Sequence, residues 1–344
     1  MREGVNMLVV FSEDLLYFVL RGLDSRELRC AALVSKRFCQ LVGNPYIWRY
    51  LCETVFGFDH SLVVDKSFDW KLYYREKSAI LQPLNWVSLD NCGGDLKPLP
   101  RQCHGAAAVG NKIIIMGGHQ FQTESYTRYS DIWCFDTDLL EFSLLEPKAL
   151  SPIPQLSRNR LVTINNIIYS FGGILQSKQK LNTVFKLDLQ ELTWEALQIS
   201  GTVPDPRCDA VVVSYQEKII VYGGSVSDLI FPSDLHVLDT KHKIWQKINS
   251  SNSPSERIGS NGVVIEDKFY LYGGGLYSKE QRKFLNYYKE VWCLDLKTYE
   301  WTLLHQIQTD IGPSITDFFN CVAIGNHIFF EGGWYSGVYV FDVI

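Results

Sequence analysis

Residues 219–224 read Ile-Ile-Val-Tyr-Gly-Gly, a short apolar run that ends in paired glycines. The same punctuation recurs as IIIMGG at 113–118, IIYSFGG at 167–173, FYLYGG at 269–274 and IFFEGG at 328–333. The first glycines of the pairs, Gly117, Gly172, Gly223, Gly273 and Gly332, stand 55, 51, 50 and 59 residues apart. After each pair comes a segment of changing length, then a second apolar run ending in Asp136, Asp188, Asp239, Asp295 or Asp342. Six residues past the first four of these lies an aromatic: Phe142, Trp194, Trp245 and Trp301. A constant offset beside a variable loop is the mark of a duplicated unit. Short apolar runs between glycine-rich turns predict strands. A four-stranded unit of this kind cannot bury both faces alone, so copies are expected to stack radially, with glycines where strands crowd together.

The period near 50, the double glycine and the trailing Trp resemble the kelch repeats of β-propeller proteins. A WD-type propeller would run nearer 40–45 residues per blade and end in Trp-Asp, which does not occur here. The resemblance covers 84–344 and implies an all-β propeller, for which five blades are predicted. The fifth unit ends two residues after Asp342, while Trp86 in LNWVSL has no double glycine before it. Residues 84–89 are therefore expected to supply the outer strand of the last blade, closing the ring and protecting an open edge.

Upstream the periodicity is helical rather than alternating. Ser12, with Glu13 and Asp14, opens a run in which Leu15, Leu16, Val19, Leu20 and Leu23 recur at helical spacing. Asp24 and Glu27 read as a capping-box start for Leu28, Ala31, Ala32, Val34, Phe38 and Leu41. Asn44-Pro45 opens a further helix carrying Ile47, Trp48, Leu51 and Val55, and a short one is predicted from Asp69 toward Pro83. Three or four short helices make a thin core. The segment 11–52 resembles an F-box in Leu15-Leu16, Val19-Leu20, Leu23-Asp24, Leu28, Val34-Ser35-Lys36-Arg37-Phe38, Leu41, Pro45 and Trp48. It departs from that pattern in Phe11-Ser12, where Leu-Pro is usual, and in Phe38, where Trp is usual. The domains expected are an F-box-like helical module over 1–56, a linker with a short helix over 57–83, and the propeller over 84–344.

That resemblance implies docking on a Skp-family adaptor and, through it, a cullin scaffold, with Phe11, Leu15, Leu16, Val34, Lys36, Phe38 and Trp48 as candidates for the docking or its support. Each of these also fits the core of a helical domain. The two resemblances together imply a non-catalytic substrate receptor of an SCF-type ubiquitin ligase, whose contribution is proximity of target to transfer site. A kelch scaffold that binds a cytoskeletal or other protein without ubiquitin transfer is the alternative.

The variable segments 119–131, 174–183, 225–234, 275–290 and 334–337 are expected on one face of the propeller, where recognition of a protein target is predicted. The fourth combines Arg282 and Lys283 with Tyr277, a pairing of cations and aromatics suited to anchoring a peptide or to folding back on the blade. Trp334 opens the last. Arg101, Arg207 and Arg257 share one position, sixteen residues before the first glycine of their pairs, and Arg158 is shifted nearby. They read either as a ring that grips carboxylates or phosphates at the channel mouth or as partners of backbone carbonyls and acids.

The remaining composition mostly excludes. With 33 basic and 38 acidic residues the chain has a formal charge of −5, which lacks the basic footprint of a nucleic-acid binder. No apolar run reaches the 18 residues of a membrane span. Nine scattered cysteines form no Cys-x-x-Cys pair, and Cys103-His104 stands without a second ligand pair, so no metal and no cofactor are predicted. No Glu-x-x-x-Asp-x-x-x-His occurs, as an iron-dependent propeller enzyme would need. Reduced cysteines and a short apolar start point to cytosol or nucleus.

Overall fold

The computed structural model describes residues 13–23, 27–28, 31–32, 36–56, 69–74, 96–122, 125–227, 230–278, 281, 283–306, 319–332 and 338–343. The chain divides into two compact units, Met1–Val87 and Ser88–Ile344.

The first unit is helical. Helix α1 spans Glu13–Arg21, α2 Lys36–Val42 and α3 Pro45–Phe56. Asn44 caps α3 as expected: its Oδ1 accepts the Tyr46 amide at 2.9 Å, and its Nδ2 donates to the Tyr17 hydroxyl at 2.7 Å. Asp69 does the same for a short turn, accepting from the Leu72 amide at 2.9 Å. Leu16, Leu20, Leu28, Leu41, Ile47, Trp48, Leu51 and Tyr74 form one core. The Trp48 indole meets its polar requirement inside that core by donating to the Val42 carbonyl at 2.6 Å. Ser12, Asp24 and residues 33–35 lie outside the described residues.

The second unit is all β. Four antiparallel sheets of four strands follow one another, each ordered from inner to outer strand as the chain runs. The first comprises Gly105–Val109, Lys112–Met116, Ile132–Asp136 and Glu141–Leu145, and the second Arg160–Ile164, Ile167–Phe171, Val184–Asp188 and Thr193–Ala196. The third comprises Val211–Tyr215, Lys218–Tyr222, Leu235–Asp239 and Ile244–Ile248, and the fourth Asn261–Ile265, Lys268–Tyr272, Glu290–Asp295 and Trp301–Gln306. The quoted run shows why its residues are apolar without interruption. Ile220 and Tyr222 join a core with Phe269 and Trp301 of the fourth sheet, while Ile219 and Val221 face Val162, Tyr169 and Phe171 of the second. A strand buried on both sides has no place for a polar alternate.

The blade count departs from expectation: among the described residues four blades are complete, not five. The fifth unit contributes a three-stranded sheet of Phe319–Ile324, His327–Gly332 and Val338–Asp342. The strand expected from 84–89, with Trp86, lies outside the described residues.

The turn explains the fixed offset of six. Asp136 Oδ1 accepts the amides of Asp138 and Leu139 at 2.9 and 3.1 Å, and Asp188 and Asp295 repeat the arrangement. The residue that follows is left-handed in each case, Leu140, Leu192, Lys243 and Tyr299 having φ of 56, 46, 56 and 60°. Two residues on, the aromatic points inward. Trp194, Trp245 and Trp301 are almost wholly buried. Trp245 meets Phe171 of the preceding blade at 5.7 Å between centroids, and Trp301 meets Tyr222 at 5.3 Å. The outer-strand Trp is thus an inter-blade wedge, set against the residue just before the previous blade's glycine pair.

Two further strands had no sequence signal. Lys148–Ala149 and Ser200–Gly201 leave one blade and pair in parallel with the outer strand of the next, at Thr193–Trp194 and Ile244–Trp245.

Candidate functional site

The glycine pairs build the joints between blades. Gly172 sits at φ +67°, and a Cβ there would lie 2.6 Å from the Arg207 carbonyl oxygen of the next blade. That space lets the Gly173 amide donate to the same oxygen at 2.9 Å. Gly117 and Gly118 make the equivalent joint with Leu156. The segment just before each inner strand also pairs with the segment just after the glycines of its own blade, as Gln102 with His119, Leu156–Ser157 with Ile174–Leu175, Cys208 with Ser225, and Ile258 with Gly275. The loops between second and third strands and the blade connections therefore open on one face, as the variable segments required.

On this face the three equivalent arginines are locks. Arg207 places Nη1 and Nη2 2.6 and 3.0 Å from the two carboxylate oxygens of Asp234, with Nη1 also 2.9 Å from the Gly223 carbonyl and Nε 3.0 Å from that of Asp205. Arg101 holds Asp131 at 2.5 and 2.7 Å and the Gly117 carbonyl at 3.0 Å. Arg257 reaches Glu290 at 3.0 Å and the Gly273 carbonyl at 3.2 Å. A tyrosine ring lies 4.3 Å from the guanidinium of Arg101 (Tyr129) and 4.2 Å from that of Arg257 (Tyr288). The second carboxylate oxygen is shared: Asp131 accepts from the Trp133 indole at 2.7 Å and Glu290 from that of Trp292 at 2.7 Å, while Asp234 meets His236 at 3.0 Å. Burial works against the charge of Asp234, but the hydrogen bonds from His236 and Arg207 more than offset it and hold the carboxyl well below the usual range. Arg207 and Arg257 are fully buried, the first forked onto Asp234 and the second bonded to Glu290 of its own blade, which is the pairing with carbonyls and acids that stood as one of their two readings. Arg101 has the same bonds and a side chain only 4% exposed.

The second blade has no such lock. Leu156 and Thr183 occupy the positions of arginine and acid. Arg158 stands two residues further on, in a left-handed conformation of φ 60°. Its counterparts Cys103, Asp209 and Gly259 share that conformation, at φ 55, 54 and 77°. The Arg158 amide donates to the Cys103 carbonyl at 2.8 Å, and the Asp209 amide to the Arg158 carbonyl at 3.4 Å, so these residues run in series across three blades. The Arg158 side chain is about a third exposed (35%) and bonds Asp209 at 3.0 Å. Among the described predicted arginines, it is the one that stays open to the face.

Two hairpins stand on the same face. His119–Gln122 pairs with Ser125–Arg128, exposing Phe121 and Tyr126. Gly275–Ser278 pairs with Lys283–Tyr287, where Phe284 lies 5.2 Å from Tyr277 and 4.7 Å from Tyr287 between ring centroids. Tyr277 is half-buried in that cluster, whereas Lys283 is exposed. Arg282 and Trp334 lie outside the described residues.

In the helical unit Leu16 and Trp48 are buried, Phe38 is partly buried against the core, and Lys36 is exposed. Leu15 lies in α1; its side chain, Phe11 and Val34 fall outside the described residues. Sequence reading passed over Tyr46 and Leu72, which expose about half their surface, as do Val19 and Val55. Among the described residues no group of three or more His, Cys, Asp or Glu side chains could hold a metal ion, and no helix is long and apolar enough to cross a membrane.

Comparison with known proteins agrees with this architecture. Residues 78–224 and 158–344 match the KLHDC2/KLHL20/DRC7 Kelch-repeats domain, and residues 13–54 match the F-box-like family. Among curated proteins, the chain is 26% identical over 234 residues to Acyl-CoA-binding domain-containing protein 5 of Arabidopsis thaliana, covering 67% of this chain and 34% of that protein. It is 27% identical over 292 residues to Putative adagio-like protein 2 of Oryza sativa subsp. japonica, covering 80% of this chain and 44% of the relative. Host cell factor homolog hcf-1 of Caenorhabditis elegans is 26% identical over 263 residues, or 69% of this chain and 32% of that protein. The chain thus spans less than half the length of these relatives. With repeated blades, paired glycines and family profile in agreement, the chain belongs to the family of the KLHDC2/KLHL20/DRC7 Kelch-repeats domain and carries an F-box-like domain ahead of it.

Proposed function

We propose that the chain is the substrate-recognition subunit of an SCF-type ubiquitin ligase. The helical unit docks on a Skp-family adaptor and, through it, a cullin scaffold, and the loop face of the propeller holds a protein target. The carrying observation is the pairing in one chain of an F-box-like match over 13–54 with a loop-bearing kelch propeller. Exposed Val19, Tyr46, Val55 and Leu72 on a small helical unit are apolar surface available to a partner. Phe11, Leu15, Val34 and Lys36 remain docking candidates, with Leu16, Phe38 and Trp48 as their packed support. For the target, Arg158, Tyr277, Arg282, Lys283 and Trp334 are the proposed contacts, and Arg101, Arg207 and Arg257 hold the loops that carry them. The chain itself performs no chemistry in this reading; it raises the local concentration of target near the transfer site. A cytosolic or nuclear location accords with such a partner set.

The test is a pull-down of the full chain and of a version lacking residues 1–56, probed for the Skp-family adaptor and cullin. Recovery by the full chain alone is expected. Equal recovery by both versions, or by neither, overturns the receptor reading and leaves a kelch scaffold without ubiquitin transfer.

A further inference from the structure

We propose that the channel-mouth patch formed by Arg128, Arg158, Arg160 and Lys180 binds a phosphorylated segment of the target. This deepens the receptor reading and rests on it for the ligand being part of a target protein.

The argument starts from what the other blades do with their cations. In the first, third and fourth blades the arginine at the mouth is spent on an acid of the same blade. Where Leu156 and Thr183 replace that pair, cations gather without matching acids. Arg128, at the end of the first-blade hairpin, donates from Nε to the Ser157 hydroxyl at 3.0 Å. Arg160 donates from Nε to the Ala210 carbonyl at 3.3 Å. Lys180 Nζ lies 3.0 and 2.8 Å from the carbonyl and hydroxyl oxygens of Ser225. Of the four, Arg158 has a carboxylate partner, Asp209, and among the described residues the other three have neutral oxygens.

The charges share one field. Burial and the nearby Arg158 make Arg128 easier to deprotonate than usual. Burial, Arg128 and Arg158 together push His119 down. Burial raises the Cys103 and Cys208 thiols and Asp209 adds to the rise, while Arg158 beside both, Arg160 beside the first and Lys180 beside the second pull the other way. An anion placed among these groups would relieve their mutual repulsion.

The patch is also held before any ligand arrives. Gln176 of the second blade accepts the Arg128 amide on Oε1 at 3.0 Å and donates from Nε2 to the Tyr126 carbonyl at 2.9 Å, pinning the hairpin to the neighbouring loop. Lys180 reaches the third blade at Ser225. Little ordering cost is then left for binding. The chemistry that fits three unmatched cations is a phosphate monoester, which carries nearly two negative charges and three strong acceptor oxygens.

The test is fluorescence anisotropy on the full chain with three labelled degenerate peptide libraries that differ at one fixed position: phosphoserine, serine or glutamate. Binding of the phosphoserine library at least tenfold tighter than the serine library is expected, with competition by inorganic phosphate. Arg128→Gln and Lys180→Gln, at half-buried positions outside the blade cores, should each lower that preference several-fold with unchanged thermal unfolding, and Arg158→Gln, which also leaves Asp209 without its partner, should lower it more. Equal binding of the phosphoserine and serine libraries overturns the proposal, as does wild-type preference in the three variants. Equal binding of the glutamate library overturns the phosphate assignment in favour of an acidic peptide. Failure here with normal adaptor recovery sinks this inference alone, whereas loss of adaptor recovery sinks the receptor reading.

Discussion

Arg207 sets its two terminal nitrogens against the two carboxylate oxygens of Asp234 while its own main-chain oxygen takes the Gly173 amide of the preceding blade. One residue therefore closes a loop within its blade and a joint to its neighbour. Asp234→Ala leaves a buried guanidinium without its counter-charge, which costs about 3–5 kcal/mol. Urea unfolding of the full chain should show that loss in the propeller transition; a loss below about 1 kcal/mol would contradict the lock, since surface pairs are worth no more than that.

The same carboxyls set the acid limit of the fold. Asp234 is held well below its usual range, and Asp295 is pulled down to about 2 by its bond to Lys268 and by the Lys297 and Thr298 amides. A depressed folded-state value contributes stability that is present above the unfolded value of 3.8 and lost as pH falls toward the folded one. Unfolding free energy should be insensitive to these groups between pH 5 and 7, as a rough window, and decline below about pH 4. Asp234→Asn should flatten that decline, and an unchanged slope would reject the assignment.

Trp245 packs between Phe171 of the second blade and the core of its own. Trp245→Ala removes a fully buried side chain at a joint and should cost about 3–5 kcal/mol. Phe142, the first-blade counterpart, is only partly buried, so Phe142→Ala should cost distinctly less. Thermal unfolding of the two variants compares them directly, and equal losses would deny the wedge role.

Gly172 and Gly110 separate two reasons for glycine. Both have positive φ, +67 and +57°, but nothing lies within 4 Å of a Cβ added at Gly110. Gly110→Ala should carry only the left-handed cost of about 1 kcal/mol. Gly172→Ala adds a clash with the Arg207 carbonyl and should be clearly worse. Equal unfolding midpoints would mean that the joint relaxes without penalty.

The blade boundaries were readable because backbone requirements wrote them. The glycine pairs are needed where a carbonyl of the next blade approaches, and the Asp–aromatic offset is fixed by one capped turn. The arginine locks were half readable. Asp131, Asp234 and Glu290 each stand five residues before the strand-ending Asp in blades that have the arginine, and Thr183 and Gly337 stand there in those that lack it. Comparing arginines alone left open whether Arg207 and Arg257 were free or paired. Arg128 and Lys180 escaped notice because their meaning depends on which acids are absent nearby, a property of three blades at once. The two-residue strands 148–149 and 200–201 are too short to show any period.

Those short strands change what a connecting segment is. The amide of Leu150 donates to the Trp194 carbonyl at 2.7 Å, and those of Ser200 and Thr202 donate to the carbonyls of Lys243 and Trp245 at 3.1 and 2.9 Å. Linkers on a protein surface normally trade their amide protons with water almost at once. Here the crossings into the second and third blades are laced to strands that open only when the blade itself comes apart, so their deuterium uptake should track the blade interior, and a protease would find these two crossings closed.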